Sequence, residues 1–229
     1  MIPPIDSDTE SMLQSAVLPP ANCCVFIEWD DVLFPTSAIQ SNEVPPGQSL
    51  SKDYTATLSS LLTELLLKCR NDGLFILSEH EPGLFANSIR NYLPVDIANV
   101  LRRRFQFIHT SKSTCGSSLK EAVVSLGDPS IHVVLMSWRT SVLNNAKVLS
   151  KYVPEGFVKC VRFSRGLHRG MLAPQLRTVF DNLERIMTVR RHTTFVLCDY
   201  KSSMYQRSIS SDSTASTSDG TAAGTSGVP

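Results

Sequence analysis

Neither sign of charge is in surplus in this sequence. Its 22 Lys and Arg residues are nearly matched by 21 Asp and Glu residues, which leaves a formal net charge of +1 over 229 residues. Proteins that grip a nucleic-acid backbone carry a basic surface, so this balance gives no reason to expect a nucleic-acid partner. The two local basic clusters, Arg102–Arg104 and Arg190–His192, are typical of helix C-termini, where cations are favoured.

Paired cysteines and long apolar runs are also missing. The chain has six cysteines, but none is spaced C-x-x-C, so a structural zinc site is not indicated. No apolar run approaches the length of a membrane span. The residues from Met1 to Asp8 are acidic and proline-rich, unlike a signal peptide. We therefore expect an intracellular, cytoplasmic protein with free thiols and no membrane partner.

Both ends of the sequence have the composition of a chain that does not order itself. Residues 1–21 contain four prolines and little periodicity, and residues 201–229 are mostly Ser, Thr, Gly and Ala. Such segments cannot bury enough apolar surface to offset the entropy lost on folding. We predict a flexible arm at 1–21, one folded domain at 22–200 and a disordered tail at 201–229.

Short apolar runs alternate with amphipathic stretches between these ends. This order predicts an α/β fold with right-handed crossovers and a mainly parallel sheet. The Pro- and Ser-rich connection at 35–51 predicts a flap or lid loop, and Gly73 is suited to a left-handed helix cap. The predicted strands are 22–29, 74–78, 105–109, 131–137, 157–163 and, at a sheet edge, 193–197. The predicted helices are 52–71, 83–92, 95–104, 118–126, 139–150 and 173–190.

Three acids, Glu28, Asp30 and Asp31, come directly after the first apolar run. In open α/β sheets the ligand crevice lies outside the carboxyl ends of the strands. The position therefore predicts a metal or phosphate site at the end of the first strand. The alternative, that these acids only cap a turn, remains open.

The stretch from residue 118 to residue 138 has two interpretations. We favour a helix at 118–126 and a strand at 131–137, because two successive strands would lack a crossover between them. This register places Ser137 and Trp138 at the end of the fourth strand. If 118–126 were instead the strand, Gly127 and Asp128 would lie at its end.

These residues resemble the haloacid dehalogenase (HAD)-like superfamily, and more narrowly a protist set whose first motif is D-W-D-D-T-L-x-P-[ST]. The likeness runs from about residue 22 to residue 197. Three stretches carry it: Glu28–Ser37, Phe75–Gly83 and Lys159–Phe163 with the helix that follows. The resemblance implies a Rossmann-like three-layer α/β fold with a minimal flap or cap.

The resemblance also implies roles for single residues. In that superfamily an Asp ending the first strand attacks phosphorus, and a second Asp, two residues later, is the general acid and base. The backbone carbonyl of the second Asp and an acid after the fourth strand help to bind Mg²⁺. A Ser or Thr holds the phosphoryl oxygens, and a Lys offsets their charge. By position, Asp30 matches the acid and base, Ser78 the hydroxyl and Lys120 the lysine, with Lys112 as the second candidate.

Two positions depart from this pattern. Glu28 stands in the nucleophile position, and its extra methylene displaces the attacking oxygen by about an ångström. Ser137 and Trp138 stand where the metal-binding acid should follow the fourth strand, unless the other register places Asp128 there. Glu28 and Asp30 alone should hold Mg²⁺ weakly.

These departures predict a HAD-like protein that has lost phosphatase activity. Such a pseudophosphatase would act as a binding or scaffold module for a protein partner, or for a phosphorylated ligand. The alternative is a working Mg²⁺-dependent phosphomonoester hydrolase that uses Asp30, Ser78 and Lys120.

Overall fold

The computed structural model describes residues 22–45, 48, 50–111, 113–164 and 172–197, and the backbone alone of 204–208. The predicted arm at 1–21 lies outside the described residues, as does the predicted tail apart from that short segment.

A seven-stranded sheet runs through the centre of the molecule in the order β3-β2-β1-β4-β5-β6-β7. The first six strands are parallel, and β7 pairs antiparallel with β6. The strands are β1 (Cys23–Glu28), β2 (Leu74–Ser78), β3 (Gln106–His109), β4 (His132–Ser137), β5 (Val158–Arg162), β6 (Thr193–Leu197) and β7 (Met204–Ser208). The predicted mainly parallel α/β sheet is confirmed. The prediction that 193–197 forms a sheet edge is wrong, because β7 covers that edge through main-chain pairing.

Helices cover both faces of this sheet, which makes the predicted Rossmann-like three-layer arrangement. One face packs against α1 to α4, α8 and α9, and the other packs against α5 to α7. The helices are α1 (Thr36–Gln40), α2 (Lys52–Lys68), α3 (Pro82–Tyr92), α4 (Val95–Arg104), α5 (Cys115–Ser125), α6 (Thr140–Leu143), α7 (Ala146–Leu149), α8 (Leu172–Asp181) and α9 (Leu183–Thr188). No helix within the described residues has the length and apolar content needed to cross a membrane.

The central strand β1 supplies side chains to both hydrophobic cores. Val25 and Ile27 point into the core beneath α2, whereas Cys24 and Phe26 point into the core beneath α5. Phe26 stacks on Phe75 of β2 with ring centroids 4.6 Å apart. Strands buried on both faces read as continuous apolar runs, which explains the pattern of the first motif.

Two predicted helices are each divided into two short ones at an asparagine. The stretch 139–150 breaks at Asn145, whose Nδ2 donates to the Ser141 and Val142 carbonyls. The stretch 173–190 breaks at Asn182, whose Nδ2 donates to the Thr178 carbonyl 2.9 Å away. In both cases a side-chain amide hydrogen-bonds to carbonyls of the preceding turn, which accompanies a local break in the helix.

The described part of the connection between β1 and α2, which was predicted to be a flap, packs onto the core. It contains α1, and its residues Val44 and Leu50 are buried. Gly73, predicted as a left-handed helix cap, does not adopt a positive φ. Its role is close packing instead, since a Cβ there would lie 3.1 Å from the Cys23 carbonyl oxygen.

Five cysteines lie within the described residues, and each is a free and buried thiol: Cys23, Cys24, Cys69, Cys115 and Cys160. The prediction of free thiols holds for these five. Cys24 and Cys160 face the core beneath α5, where they pack as small apolar side chains.

Candidate functional site

The candidate site lies where β1, β2 and β4 end side by side. From β1 the chain passes to β2 and β3 on one side, and it then crosses to β4, β5 and β6 on the other. The carboxyl ends of β1 and β4 therefore flank a topological switch point, where open α/β sheets form their ligand crevice. Glu28, Ser78 and Ser137 are the last residues of β1, β2 and β4.

Glu28 is buried, and both of its carboxyl oxygens have protein partners. Its Oε2 accepts a hydrogen bond from the Ser137 hydroxyl, and its Oε1 forms an ion pair with the Nε of Arg139. Burial raises the pKa of Glu28 from 4.5 to about 7, while the Arg139 guanidinium and the Ser137 hydrogen bond act in the opposite direction. The group is thus an enclosed carboxyl that its neighbours hold in place.

Asp30 lies two residues beyond β1 and accepts hydrogen bonds from three sides. Its Oδ1 accepts from the Thr36 hydroxyl at 2.7 Å and lies 3.1 Å from the Nε2 of His80. Its Oδ2 accepts from the Ser78 hydroxyl at 3.2 Å. Its backbone carbonyl accepts from the indole Nε1 of Trp138 at 3.0 Å.

Arg139 is the cation of the site, and it directly follows Trp138 in the sequence. Its guanidinium forms ion pairs with Glu28 through Nε and with Glu79 through Nη1. The side chain is only 10% exposed. Its Nη2 is buried and makes no hydrogen bond to any described residue. Arg139 therefore joins the ends of β1, β2 and β4 into one charged cluster.

Five of the predicted site residues come together here: Glu28, Asp30, Ser78, Ser137 and Trp138. The favoured register is the observed one, because 115–125 is a helix and β4 ends at Ser137. The aromatic ring of Trp29, by contrast, points into the core and stacks on Phe34.

Asp128 and Lys120 lie away from this cluster. Asp128 precedes β4 at the opposite edge of the sheet, where it accepts hydrogen bonds from Asn22 and Ser130. A six-residue strand separates the two edges by roughly 20 Å. Lys120 is an exposed residue in the middle of α5, with its Nζ 5.1 Å from the centre of the Tyr152 ring. Lys112, the second lysine candidate, lies outside the described residues.

Sequence reasoning missed the cation of the cluster. A buried carboxyl at the end of a strand needs a partner, and Arg139 is the basic residue closest to the predicted fourth-motif position. Its position directly after Trp138 was the signal in the sequence from which Arg139 could have been predicted as a site residue. Glu79 and His80 follow Ser78 directly and extend the cluster to the loop after β2.

The oxygens that would bind Mg²⁺ already accept bonds from the protein. The Glu28 carboxyl is engaged by Arg139 and Ser137, and the Asp30 carbonyl is engaged by Trp138. Mg²⁺ requires several free oxygen ligands in octahedral geometry. Within the part of the chain that the structure describes, no three His, Cys, Asp or Glu side chains are placed to hold a metal ion. These donors do not fit the Mg²⁺ site that the HAD resemblance implies.

A scan against protein-family models found no family that matches this chain. Neither a search of curated proteins nor a search of solved structures found a match.

Proposed function

We propose that this chain is a HAD-like pseudophosphatase, which uses the fold as a binding module for a protein partner and not as a catalyst. One observation carries the proposal. Protein donors, the Arg139 guanidinium and the Trp138 indole, occupy the oxygens that Mg²⁺ would use in a working phosphatase.

The state of Glu28 also supports loss of the chemistry. A nucleophile must present a free, charged oxygen to phosphorus. Both oxygens of Glu28 are engaged, and its pKa of about 7 leaves much of it protonated at neutral pH. The longer side chain adds a misplacement that can cost about 100-fold in rate.

The charge of the cluster is unfavourable for a phosphate dianion. Glu28, Asp30 and Glu79 supply three carboxyl groups, whereas Arg139 supplies one guanidinium beside His80. Phosphatases offset phosphate charge with metal ions and unpaired cations. A phosphoryl group placed here would meet carboxylates, because both ion pairs of Arg139 are already made.

The alternative, a Mg²⁺-dependent phosphomonoester hydrolase, needs a cation and a third acid beside Asp30. Asp128 and Lys120 were the first residues predicted for those roles, and both lie elsewhere; Lys112, the second lysine candidate, is outside the described residues. Asp30 and Ser78 keep their relative placement, with 3.2 Å between the hydroxyl and the carboxylate. A hydrogen bond between these two groups alone provides neither the nucleophile nor the metal.

The proposal is tested by assaying the purified full chain with Mg²⁺ and p-nitrophenyl phosphate. We expect no hydrolysis above that of an Asp30→Asn variant, and no beryllium fluoride adduct in the mass or the ¹⁹F NMR spectrum. Mg²⁺-dependent turnover that Asp30→Asn abolishes would falsify the proposal.

Removing the internal cation provides a second test. Arg139→Ala frees the carboxylates of Glu28 and Glu79, so we expect it to bind Tb³⁺, detected by luminescence sensitised through nearby Trp138, with Mg²⁺ as competitor. Arg103→Ala is the matched control, because Arg103 is exposed in the last turn of α4. Wild-type protein that binds these ions as tightly as Arg139→Ala would show that the guanidinium does not block the site.

A further inference from the structure

Two histidines flank the start of β5 at the amino edge of the sheet, opposite to the edge that carries the charged cluster. His132 is the first residue of β4, and His192 directly precedes β6. β5 lies between these two strands in the sheet. The two imidazoles therefore approach the start of β5 from both of its neighbours.

Each imidazole accepts a hydrogen bond from the backbone at this point. The N–H of Phe157 donates to the Nδ1 of His132 at 3.2 Å, and the N–H of Val158 donates to the Nδ1 of His192 at 3.0 Å. A ring nitrogen accepts a hydrogen bond only when it carries no proton. Both bonds therefore require a neutral imidazole whose single proton is on Nε2.

The ring of Phe157 packs against both imidazoles. Its centroid lies 5.4 Å from that of His132 and 5.7 Å from that of His192. These contacts hold the two Nδ1 atoms toward the backbone. An imidazolium in either place would direct an N–H at the backbone N–H, because both of its nitrogens are donors. Protonation of a ring thus removes one of the two bonds that anchor the start of β5.

The charges around His132 oppose its protonation. Burial, and then the positive charges of Lys159 on β5 and Arg190 after α9, lower the pKa of His132. Asp128 lies at the same edge of the sheet, but its carboxylate pairs with Arg70. Both charges that shift this pKa are positive, so the fold opposes the proton instead of binding it.

Two more charged residues belong to the chain segments that meet here. Glu155, in the turn before β5, is exposed, and so is Arg191, which directly precedes His192. Exposed charges interact weakly because water and salt screen them. The hydrogen bonds to the backbone, and not these charges, are the contacts that depend most directly on the protonation state of the rings.

From this arrangement we propose that His132 and His192 form a pH-sensitive latch, which holds the start of β5 at neutral pH and releases it in acid. Release also frees the turn before β5, because Phe157 joins that turn to the strand. Free imidazoles titrate near pH 6.5, so the released form gains stability progressively below about that pH. The latch goes beyond the proposed pseudophosphatase function and does not depend on it.

Hydrogen exchange of the Phe157 and Val158 amides measures this release in the full chain. The rates are expressed as protection factors, which removes the pH dependence of intrinsic exchange. We expect both amides to lose roughly tenfold in protection between about pH 7.5 and about pH 5.5. Tenfold is the linkage effect of one imidazole at about one pH unit below its free pKa.

Asparagine provides the matched variant, because its Oδ1 can accept from the same N–H and takes up no proton in this range. The double variant His132→Asn/His192→Asn should show the same protection of both amides at the two pH values. His109→Asn is the control. The Nδ1 of His109 lies 3.0 Å from the His80 carbonyl oxygen, a hydrogen bond that a protonated ring keeps, so this variant should show the wild-type loss.

NMR of the wild-type chain gives a second measurement that does not require a variant to fold. Long-range ¹H–¹⁵N spectra at about pH 7.5 show which ring nitrogen carries the proton, and we expect Nε2 for both His132 and His192. A proton on Nδ1 of either ring would overturn the inference. It is also overturned if wild-type protection does not fall in acid, or if the folded double variant keeps the wild-type loss.

Discussion

Glu28 is a buried group that makes the stability of this protein depend on pH. Burial raises its folded pKa from 4.5 to about 7. Between these values the folded state holds a proton that the unfolded state has released, so the free energy of unfolding falls as pH rises from about 4.5 to about 7. At about 1.4 kcal/mol for each pH unit, the interval accounts for about 3 kcal/mol.

Replacing Glu28 by Gln removes this titration. We expect the difference in unfolding free energy between wild type and Glu28→Gln, measured in urea, to shift by about 3 kcal/mol in favour of the variant from about pH 4.5 to about pH 7. His132, whose pKa burial lowers, titrates in both proteins and cancels in the difference. A difference that stays constant over this range would mean that Glu28 is not a buried titrating group.

The contacts of the site were harder to predict than its members. Asp30, Ser78 and Trp138 could be named from their places at strand ends. Sequence alone could not exclude Lys120 from the site. The apolar pattern predicts the helix that contains Lys120, but it does not show which turn of that helix lies beside the site. α5 starts at Cys115 near the carboxyl edge and runs away from it, so Lys120 lies about 7.5 Å further along the axis. The pairing of Arg139 with two acids on other strands depends on tertiary contacts that periodicity does not encode.

At the scale of elements, the turn before β5 depends on the absence of one side chain. A Cβ at Gly156 would lie 2.0 Å from the backbone oxygen of Ile131, just before β4, and neither backbone can move away easily. We expect Gly156→Ala to lower the free energy of unfolding by about 2–4 kcal/mol.

Gly83, in the first turn of α3, is the matched control because a Cβ there meets nothing within 4 Å. Gly83→Ala should be neutral or stabilise by up to about 1 kcal/mol, since alanine favours the helix. Thermal unfolding of both variants provides the comparison. Equal losses in the two would show that the close approach at Gly156 is relieved without cost.

The bounds of some helices and strands could be predicted from the sequence, where the residues around them fitted only one kind of element. β2 and α4 have the predicted limits, 74–78 and 95–104, and each begins directly after a residue that interrupts the preceding pattern, Gly73 or Pro94. The helix breaks at Asn145 and Asn182 were missed, since an asparagine amide is compatible with a helix unless it turns back to the preceding carbonyls. β7 was missed because it joins the sheet through its backbone.

At the scale of the whole molecule, β1 contributes side chains to both cores, so we expect the two cores to unfold together. Phe26 is fully buried on the α5 face, and Trp29 lies in the core on the opposite face. Phe26→Ala should cost about 3–5 kcal/mol. In a Trp138→Phe background, the Trp29 fluorescence transition should shift to lower urea together with the circular dichroism transition. A Trp29 midpoint that does not move with Phe26→Ala would show that the two faces unfold separately.

The fold class followed from the alternation of strands and helices, which fixes parallel crossovers and two covered faces. The position of the crevice followed from the same topology, since acids at the end of β1 had to lie near the switch point. What the crevice binds depends on which oxygens remain free, and that is decided by contacts between residues more than a hundred positions apart, such as Glu28 and Arg139.

The reactivity of the five buried thiols can be used to measure local opening of the structure. A hydrogen bond with Cys23, together with burial, raises the pKa of Cys69. Burial raises the pKa of Cys24 and Cys115, and that of Cys160 to about 12. A thiol that is both enclosed and protonated does not react with iodoacetamide until its surroundings open. Because these cysteines lie on both faces of the sheet, mass-resolved alkylation at each position would rank the regions of the molecule by how often they open, without any engineered label.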